Sequence, residues 1–470
     1  MSIISTQPLT CDVMRTFRFF LGFLLLSASL RAQTVPAKRA ATMTLGANLS
    51  YLDNYWNGTA AQHFGDHVKT VEVNKRQAML TSMARQGLKT VRIPVCFSAW
   101  ASLNAPYKWD FPQNLAAIDS LTNWALQEKM RVIIDFHHPE MNGTFPQALN
   151  PERIKWIWAQ IATRYRNTDP DRVFLELWNE PHDVKLADWI NTATGLIQTV
   201  RAIAPNHTLI VGAHDYNGIE ALLQLPVFGD KNIIYTFHFY DPFVFTHQGA
   251  GWVNEMKDVR NVPFPAVGVP AIPGSAKGTW VENAIKNYEK DGTKAAIVRQ
   301  LEKAKGWSVA NNVPIFCGEF GSYNEFADEI SRCNHAFTNF QALGMMDIPC
   351  TFWEWDGGFN LFKRGSTSIL SDCTVEALNY YTLRQEALGL EKSSNVPMTI
   401  LPNPVRDTFQ IQAAETVENV EIVDFSGKTV LRQIPINNQV SVSNLPDGFY
   451  VVKAFGRRGE LLNYQKLVKY

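Results

Sequence analysis

At 470 residues the chain is too long for one ordinary core, unless most of it is an α/β barrel of roughly 250 to 350 residues. Its composition is that of a globular protein, 46% hydrophobic and 12% aromatic. Lys plus Arg and Asp plus Glu each total 44, so no basic excess marks a nucleic-acid partner. The 13 Trp, 14 Tyr and 28 Phe belong mostly to a core, with some left over for stacking platforms in a cleft.

The chain opens on a leader over residues 1–33. Arg15 and Arg18 precede the apolar run FFLGFLLLSASL and small residues ending at Ala32, the pattern of a secretory signal peptide. Residues 1–13 read as an upstream extension. The run is shorter than the ~20 apolar residues of a membrane anchor, so export is expected and a stable membrane span is not. Of six cysteines, Cys11 leaves with the leader. The spacing of Cys96, Cys317, Cys333, Cys350 and Cys373 fits neither a disulfide scaffold nor a zinc site. Cys333, Cys350 and Cys373 can supply one bridge, with the pair left open, while Cys96 and Cys317 read as buried small hydrophobes.

From about residue 44 to 388, apolar runs alternate with helical patterns. The strand candidates are MTLGANL, KTVRIPV, RVIIDFHH, VFLELWNE, TLIVGAH, IIYTFHFY, VPIFCGEFG and PCTFWEW, each continuous enough to be buried on both faces. Between them, NPERIKWIWAQIATRYR carries an apolar stripe of Ile154, Ile157, Trp158, Ile161 and Tyr165, with Asn150 as N-cap and Pro151 in the first turn. Eight such repeats predict a closed (β/α)8 barrel of the TIM type. The alternative, a doubly wound open sheet, lacks a glycine fingerprint after the first strand. Residues 241–280, rich in Pro, Gly, Phe and Trp, predict a long ordered loop forming a cleft wall or lid after the sixth strand. A linker is expected over 389–398. Beyond it, 399–470 read as short alternating strands with Ser426-Gly427 and Asp447-Gly448 turns, a small all-β sandwich without Cys or His.

In a barrel of this kind reactive groups sit at the C-terminal ends of strands. Arg92, His137, Asn179, Glu180, His238, Tyr240, Glu319 and Trp353 all fall there. Glu180 and Glu319 come from different strands, and paired carboxylates flanking a scissile bond are what glycoside hydrolysis requires. The competing reading makes either one an ion-pair partner of Arg92. Glu176, four residues before Glu180, is expected to face the barrel interior as a structural partner for Arg92. His138 beside His137 lacks a third ligand at useful spacing, so no metal and no cofactor are expected. Tyr51, Tyr55 and Trp56 after the first strand, and His247 and Trp252 in the long loop, are candidate sugar contacts or plain loop aromatics.

LELWNEP, FCGEFG, TVRIPV and IIYTFHFY resemble the strand-end motifs of glycoside hydrolase family 5, the cellulase-type retaining barrels, over residues ~44–388. The resemblance implies that Glu180 is the general acid/base and Glu319 the nucleophile. It further implies that Asn179 holds the sugar 2-hydroxyl, that Arg92 and Tyr240 surround Glu319, and that His238 lies near Glu180. His137 would line the cleavage subsite and Trp353 would be a stacking platform, with Trp355 as a second reading of that position. On this reading Arg92 and Tyr240 favour ionised Glu319, while proximity to Glu319 raises the proton affinity of Glu180. Carboxyl groups about 5 to 5.5 Å apart, with retention of configuration, follow. ILPNPVRDTFQI, VEIVDFSGKTVL and VSNLPDGFYVVKAF resemble the type A sorting domain of the type IX secretion system. This implies a Gram-negative bacterium, passage through the periplasm to the surface or medium, and the secretion machinery as partner; a carbohydrate-binding sandwich is the alternative. The expectation is a secreted, monomeric, endo-acting β-glycanase cutting β-1,4-glucan, with β-mannan, mixed-linkage glucan and xyloglucan open. A polysaccharide-binding barrel without catalysis is the reading from another class, and an α/β esterase lacks its Gly-x-Ser-x-Gly elbow.

Overall fold

The computed structural model describes residues 34–53, 71–137, 150–367, 369–377, 398–403, 405–423, 429–446 and 448–469. The leader, Tyr55, Trp56, His138, nearly all of the expected linker, the Ser426-Gly427 turn and Asp447 lie outside them. Eight parallel strands close into a barrel in sequence order. They are β1 (Leu45–Asn48), β2 (Thr90–Val95), β3 (Arg131–Phe136), β4 (Val173–Glu176), β5 (Leu209–Val211), β6 (Ile233–Phe239), β7 (Ile315–Phe320) and β8 (Cys350–Phe352). Every apolar run singled out in the sequence holds one of them. Among the described residues no helix is long and apolar enough to cross a membrane.

Alternation divides each strand between two cores. Val91, Ile93, Val132, Ile134, Leu175, Val211, Tyr235 and Cys317 pack outward against the helices. The helix Pro151–Tyr165 meets them with the predicted stripe; Asn150 caps it by accepting from Glu152 N and Arg153 N at 3.1 and 3.3 Å. Inward, Ile133, Phe174, Ile210, Ile234 and Phe316 form one layer at the N-terminal end, closed from below by Ala40 and Met43. Those two come from a helix, Val35–Met43, whose polar content (Lys38, Arg39) hid it in the sequence. Arg39 anchors that plug, bonding Asp171, Asn206 O and Thr208.

The strand alternation breaks once where it matters. Phe237 of β6 pairs with Cys317, but the next residue, His238, pairs with Glu319, so Gly318 is an extra residue in β7. Without this bulge, Glu319 would share the outward face of Cys317; with it, Phe316 and Glu319 both point inward. Glycine suits the position, because a Cβ would stand 3.0 Å from both His238 Nε2 and Thr236 Oγ1, side chains that would have to give by a few tenths of an ångström. The Gly318 carbonyl is held by Asn48 Nδ2 at 3.0 Å and Thr351 Oγ1 at 2.6 Å.

The long loop after β6 is ordered, as expected. Val244, Phe245, Met256, Val259, Val262 and Phe264 are buried beneath it. Gln248 staples it, donating to Phe245 O and Val262 O and accepting from Val262 N at 3.0 Å. Among the described residues one disulfide, Cys333–Cys373, ties the helix Glu329–Met345 to the segment after β8, while Cys96, Cys317 and Cys350 are buried thiols outside any disulfide.

The C-terminal strands are β9 (Met398–Leu401), β10 (Thr408–Ala413), β11 (Asn419–Val423), β12 (Thr429–Gln433), β13 (Gln439–Ser441), β14 (Gly448–Phe455) and β15 (Leu461–Lys469). They make a sheet of order β13-β10-β9 and another of order β12-β11-β14-β15, antiparallel throughout. Phe409, Ile411 and Val440 from the first share one core with Val420, Ile422, Val452 and Leu467 from the second, so the pair is a small sandwich. Truncating the inward layer of the barrel should show in stability: Phe174→Ala is expected to cost about 3–5 kcal/mol in urea unfolding, and an unchanged midpoint would refute a stabilising role for that layer.

Candidate active site

Arg92 rises from β2 into the barrel centre with no solvent exposure. Its guanidinium spans Glu176, with Nε to Oε2 at 2.7 Å and Nη2 to Oε1 at 2.9 Å. Nη1 donates to Asn48 Oδ1 at 2.9 Å and Glu319 Oε1 at 2.7 Å. Nη2 also reaches Asn179 Oδ1 at 2.7 Å and Asp135 Oδ2 at 3.0 Å. The fork geometry of arginine is what lets one side chain meet so many acceptors. Glu176 is thus the buried structural partner its parity predicted.

Around this hub stand the other predicted residues. Tyr240 Oη donates to Glu319 Oε2 at 2.8 Å. His238 Nδ1 lies 2.6 Å from Glu180 Oε1 and 3.6 Å from Glu319 Oε2. One ligating atom each from Glu180, His238 and Glu319 falls within 4.8 Å of the others, a set that can pass a proton or hold a cation. His137 Nδ1 meets Asp135 Oδ2 at 2.7 Å, and its ring stacks on Trp353 with centroids 5.1 Å apart. Trp353 is partly exposed at the rim. Trp355, the second reading of that position, is buried and packs edge-on against Phe362.

The electrostatics follow from burial. The Glu180 carboxyl is pushed up to about 7, first by desolvation, with Arg92 and His182 opposing. Its side chain keeps 26% exposure, so the proton remains reachable from the cleft. Burial, and not the charge of Glu319, leads that shift. Burial also pushes Glu319 above the ordinary range, against His238, Arg92 and the Tyr240 hydroxyl, so these partners moderate its proton affinity without reversing the direction. Desolvation lowers His238 to about 4 and lowers His137 well below its usual value, leaving both imidazoles neutral near pH 7. Asp135 rises to about 7 for the same reason.

Several contributors escaped the sequence reading. Asn48 and Asp135 position Arg92 and His137; the shared parity of Asp135 and His137 was the available signal. Asp53 is buried with Oδ2 unpartnered and is raised to about 7. Glu354 is buried, accepts from Ser50 Oγ and is raised to about 8 by desolvation. His247 is a packing residue, stacked on Phe243 at 3.8 Å and edge-on to Tyr240 at 5.1 Å. Trp252 is 60% exposed and reaches the site through Phe359, which also touches Tyr240. The Tyr51 ring is covered by the Arg76 guanidinium at 4.5 Å.

A closed parallel barrel with two carboxylates, a neutral histidine and a buried arginine at its C-terminal rim is the architecture of a sugar-processing barrel. Residues 53–358 match the model of the cellulase family, glycosyl hydrolase family 5, and the chain belongs to that family. Residues 399–469 match the secretion system C-terminal sorting domain. Endoglucanase 3 of Fibrobacter succinogenes is 31% identical over 306 residues, covering 60% of this chain but 46% of that protein. Endoglucanase C of Acetivibrio thermocellus is 25% identical over 331 residues, 66% of this chain and 90% of that one. The structure of endoglucanase Cel5A from Thermotoga maritima superposes with a TM-score of 0.60 at 26% identity, over 73% of this chain and 99% of that one.

Replacing the hub should be costly. Arg92→Met leaves Glu176 buried without its cation and is expected to lose about 3–5 kcal/mol of unfolding free energy; a urea midpoint within error of wild type would refute the hub.

Proposed function

We propose that the chain is an exported, endo-acting, retaining β-glycoside hydrolase that cuts β-1,4-glucan, with Glu180 as acid/base and Glu319 as nucleophile. The observation that carries this is that one oxygen of each carboxylate comes within 4.8 Å of the other at the rim, in unlike surroundings. Retaining enzymes hold the pair about 5–5.5 Å apart, whereas inverting ones leave about 6.5–9.5 Å for a water. Glu319 is gripped by Arg92 and Tyr240, which fix the carboxylate for attack. Glu180, near pH 7 half protonated, is the group able both to give and to take a proton.

In the first step Glu319 attacks the anomeric carbon while Glu180 protonates the glycosidic oxygen. The carbon–oxygen bond breaks, the leaving sugar departs as an alcohol, and a glycosyl ester remains on Glu319. In the second, Glu180 takes a proton from water, the water oxygen attacks the same carbon, and the ester bond breaks to restore Glu319. Neutral His238 at 2.6 Å holds Glu180 in place without adding charge. Asn179, fixed by Arg92, presents its amide to the sugar hydroxyl, and Trp353 backed by His137 offers an aromatic face. Structures of Thermotoga maritima Cel5A have been solved with cellobiose and with mannotriose, which favours β-mannan as the second substrate reading. The sorting domain supports delivery to the surface or medium by the secretion machinery, and the barrel is read as working as a monomer.

Glu319→Gln is expected to lower kcat on soluble glucan by about 10⁴-fold or more, and undiminished hydrolysis would refute its role. Early product NMR should show retained β-configuration; inversion would sink the double displacement. Because Glu180 must be protonated in the first step and its proton affinity is raised, kcat/KM should fall as pH rises through about 7. A profile whose alkaline limb lies near pH 4.5 would contradict that assignment.

A further inference from the structure

The loops that leave β7 and β8 enclose a pocket of about 380 Å³ that the proposed mechanism does not use. Small-ligand sites span about 300–1,000 Å³, so the space suits an organic ligand. Asn324 N donates to Gly358 O at 2.8 Å and joins the two loops, and Tyr323 N donates to Thr246 O at 2.7 Å in the β6 loop. Tyr323 lines the pocket and meets Trp252 edge-on, centroids 4.9 Å apart, so the cavity begins one ring beyond that indole. The lining is rich in cations. Lys363, Arg364, Gly365 and Ser366 form a turn closed by Ser366 N to Lys363 O at 2.9 Å, with Gly365 at φ 80° where a turn of this kind needs it. The turn sets Arg364 in the open at the pocket. Arg332 reaches the same pocket from the helix Glu329–Met345; it is only 8% exposed, and its buried Nε has no partner among the described residues. Both guanidiniums bond carbonyl oxygens alone, Arg332 Nη2 to Asn360 O and Arg364 Nη2 to Glu325 O, the latter at 3.2 Å. The lining acid, Glu325, accepts from the Tyr323 hydroxyl. Lys363 Nζ lies 2.9 Å from Asp372 Oδ1, but that carboxylate is 92% exposed and such a surface pair is weak. Burial lowers Arg332 to about 10, with Glu329 opposing and the Arg364 charge adding to the fall. Two like charges thus repel at the pocket, and an anion placed there would relieve both.

We propose that this pocket is an accessory subsite for an acidic saccharide, in which Arg332 and Arg364 hold the carboxylate of a uronate unit and Tyr323 lies against its ring. The planar guanidinium matches a carboxylate with paired donors, and a buried unpartnered N–H is the group that gains most from an acceptor. The tyrosine supplies the apolar face that a pyranose needs and an inorganic anion does not. The inference rests on the hydrolase reading and narrows its substrate: the chain cut in the cleft would carry acid groups, as side branches or as neighbouring units. Because the pocket lies outside the bond-breaking groups, it selects which polymer is held and leaves the chemical step alone.

The test is calorimetric titration of the full chain at fixed ionic strength with sodium glucuronate, with neutral methyl β-glucoside and with sodium phosphate. Glucuronate should bind at least about tenfold more tightly than either of the others. Arg364→Gln should raise the Kd for glucuronate about tenfold. Arg364 sits on an exposed turn and bonds one carbonyl, so its replacement should keep the wild-type urea midpoint. Absence of glucuronate binding overturns the subsite, and an unchanged Kd in Arg364→Gln overturns its location. Phosphate binding as tightly as glucuronate marks a plain anion site and overturns the saccharide assignment. Hydrolysis of soluble glucan without glucuronate binding sinks this inference and leaves the hydrolase reading standing. Glucuronate binding without hydrolysis of any glucan does the reverse.

Discussion

The saturation of one buried guanidinium organises the barrel rim. Arg92 contacts residues from β1, β3, β4 and β7 and from the loop after β4, through Asn48, Asp135, Glu176, Glu319 and Asn179. A cation without exposure costs several kcal/mol of desolvation, which only close anionic partners and satisfied hydrogen bonds can offset. Three carboxylates surround the single charge, so the interior holds more acid than it can ionise cheaply. Burial leads the upward shifts of Asp135, Glu176, Glu180 and Glu319 alike, and Arg92 moderates each of them. The site's readiness to hold protons near neutrality is thus a property of the barrel interior as a whole.

Much of this was legible in the sequence. Eight apolar runs placed eight strands, and polar residues at their ends placed the rim, because a parallel sheet buried on both faces tolerates His, Asn and Glu only where a cleft or a partner receives them. The Arg92–Glu176 pair followed from parity alone. Resemblance to a known family, more than spacing, singled out Glu180 and Glu319. Parity failed at Glu319, whose inward aim depends on the Gly318 bulge; a two-residue period carries no mark of an inserted residue. The plug helix Val35–Met43 falls between the leader and the first strand candidate, and its Lys38 and Arg39 carry no mark of a buried face, although Arg39 is buried. Trp353 and Trp355 share a parity, and only the end of β8 at Phe352 separates the rim ring from the buried one.

The rim also shows a division of labour between charged and aromatic groups. Carboxylates and imidazoles occupy the strand ends or the few residues past them, while exposed and partly exposed rings stand on the loops that follow, Trp252 after β6 and Trp353 after β8. Strand ends are held to within fractions of an ångström by the ladder; loops are free to set reach and direction. The Gln248 staple gives the β6 loop internal bonding of its own, and Trp252 stands in the open on it.

The bulge in β7 separates closure of the barrel from chemistry in an unusual way. Cys317 and Phe320 face the helices on either side of it, so the strand serves the outer core both before and after the extra residue. Whether Gly318 bulges out of the ladder, rather than side-chain identity, then decides whether the Glu319 carboxylate belongs to the interior. Taking Gly318 into the ladder as an ordinary paired residue would preserve every acidic and basic group of the site and restore an even pleat, yet it would turn Glu319 toward the helices. A protein with the full complement of site residues can be silent because one residue, with no side chain at all, pairs where it should bulge.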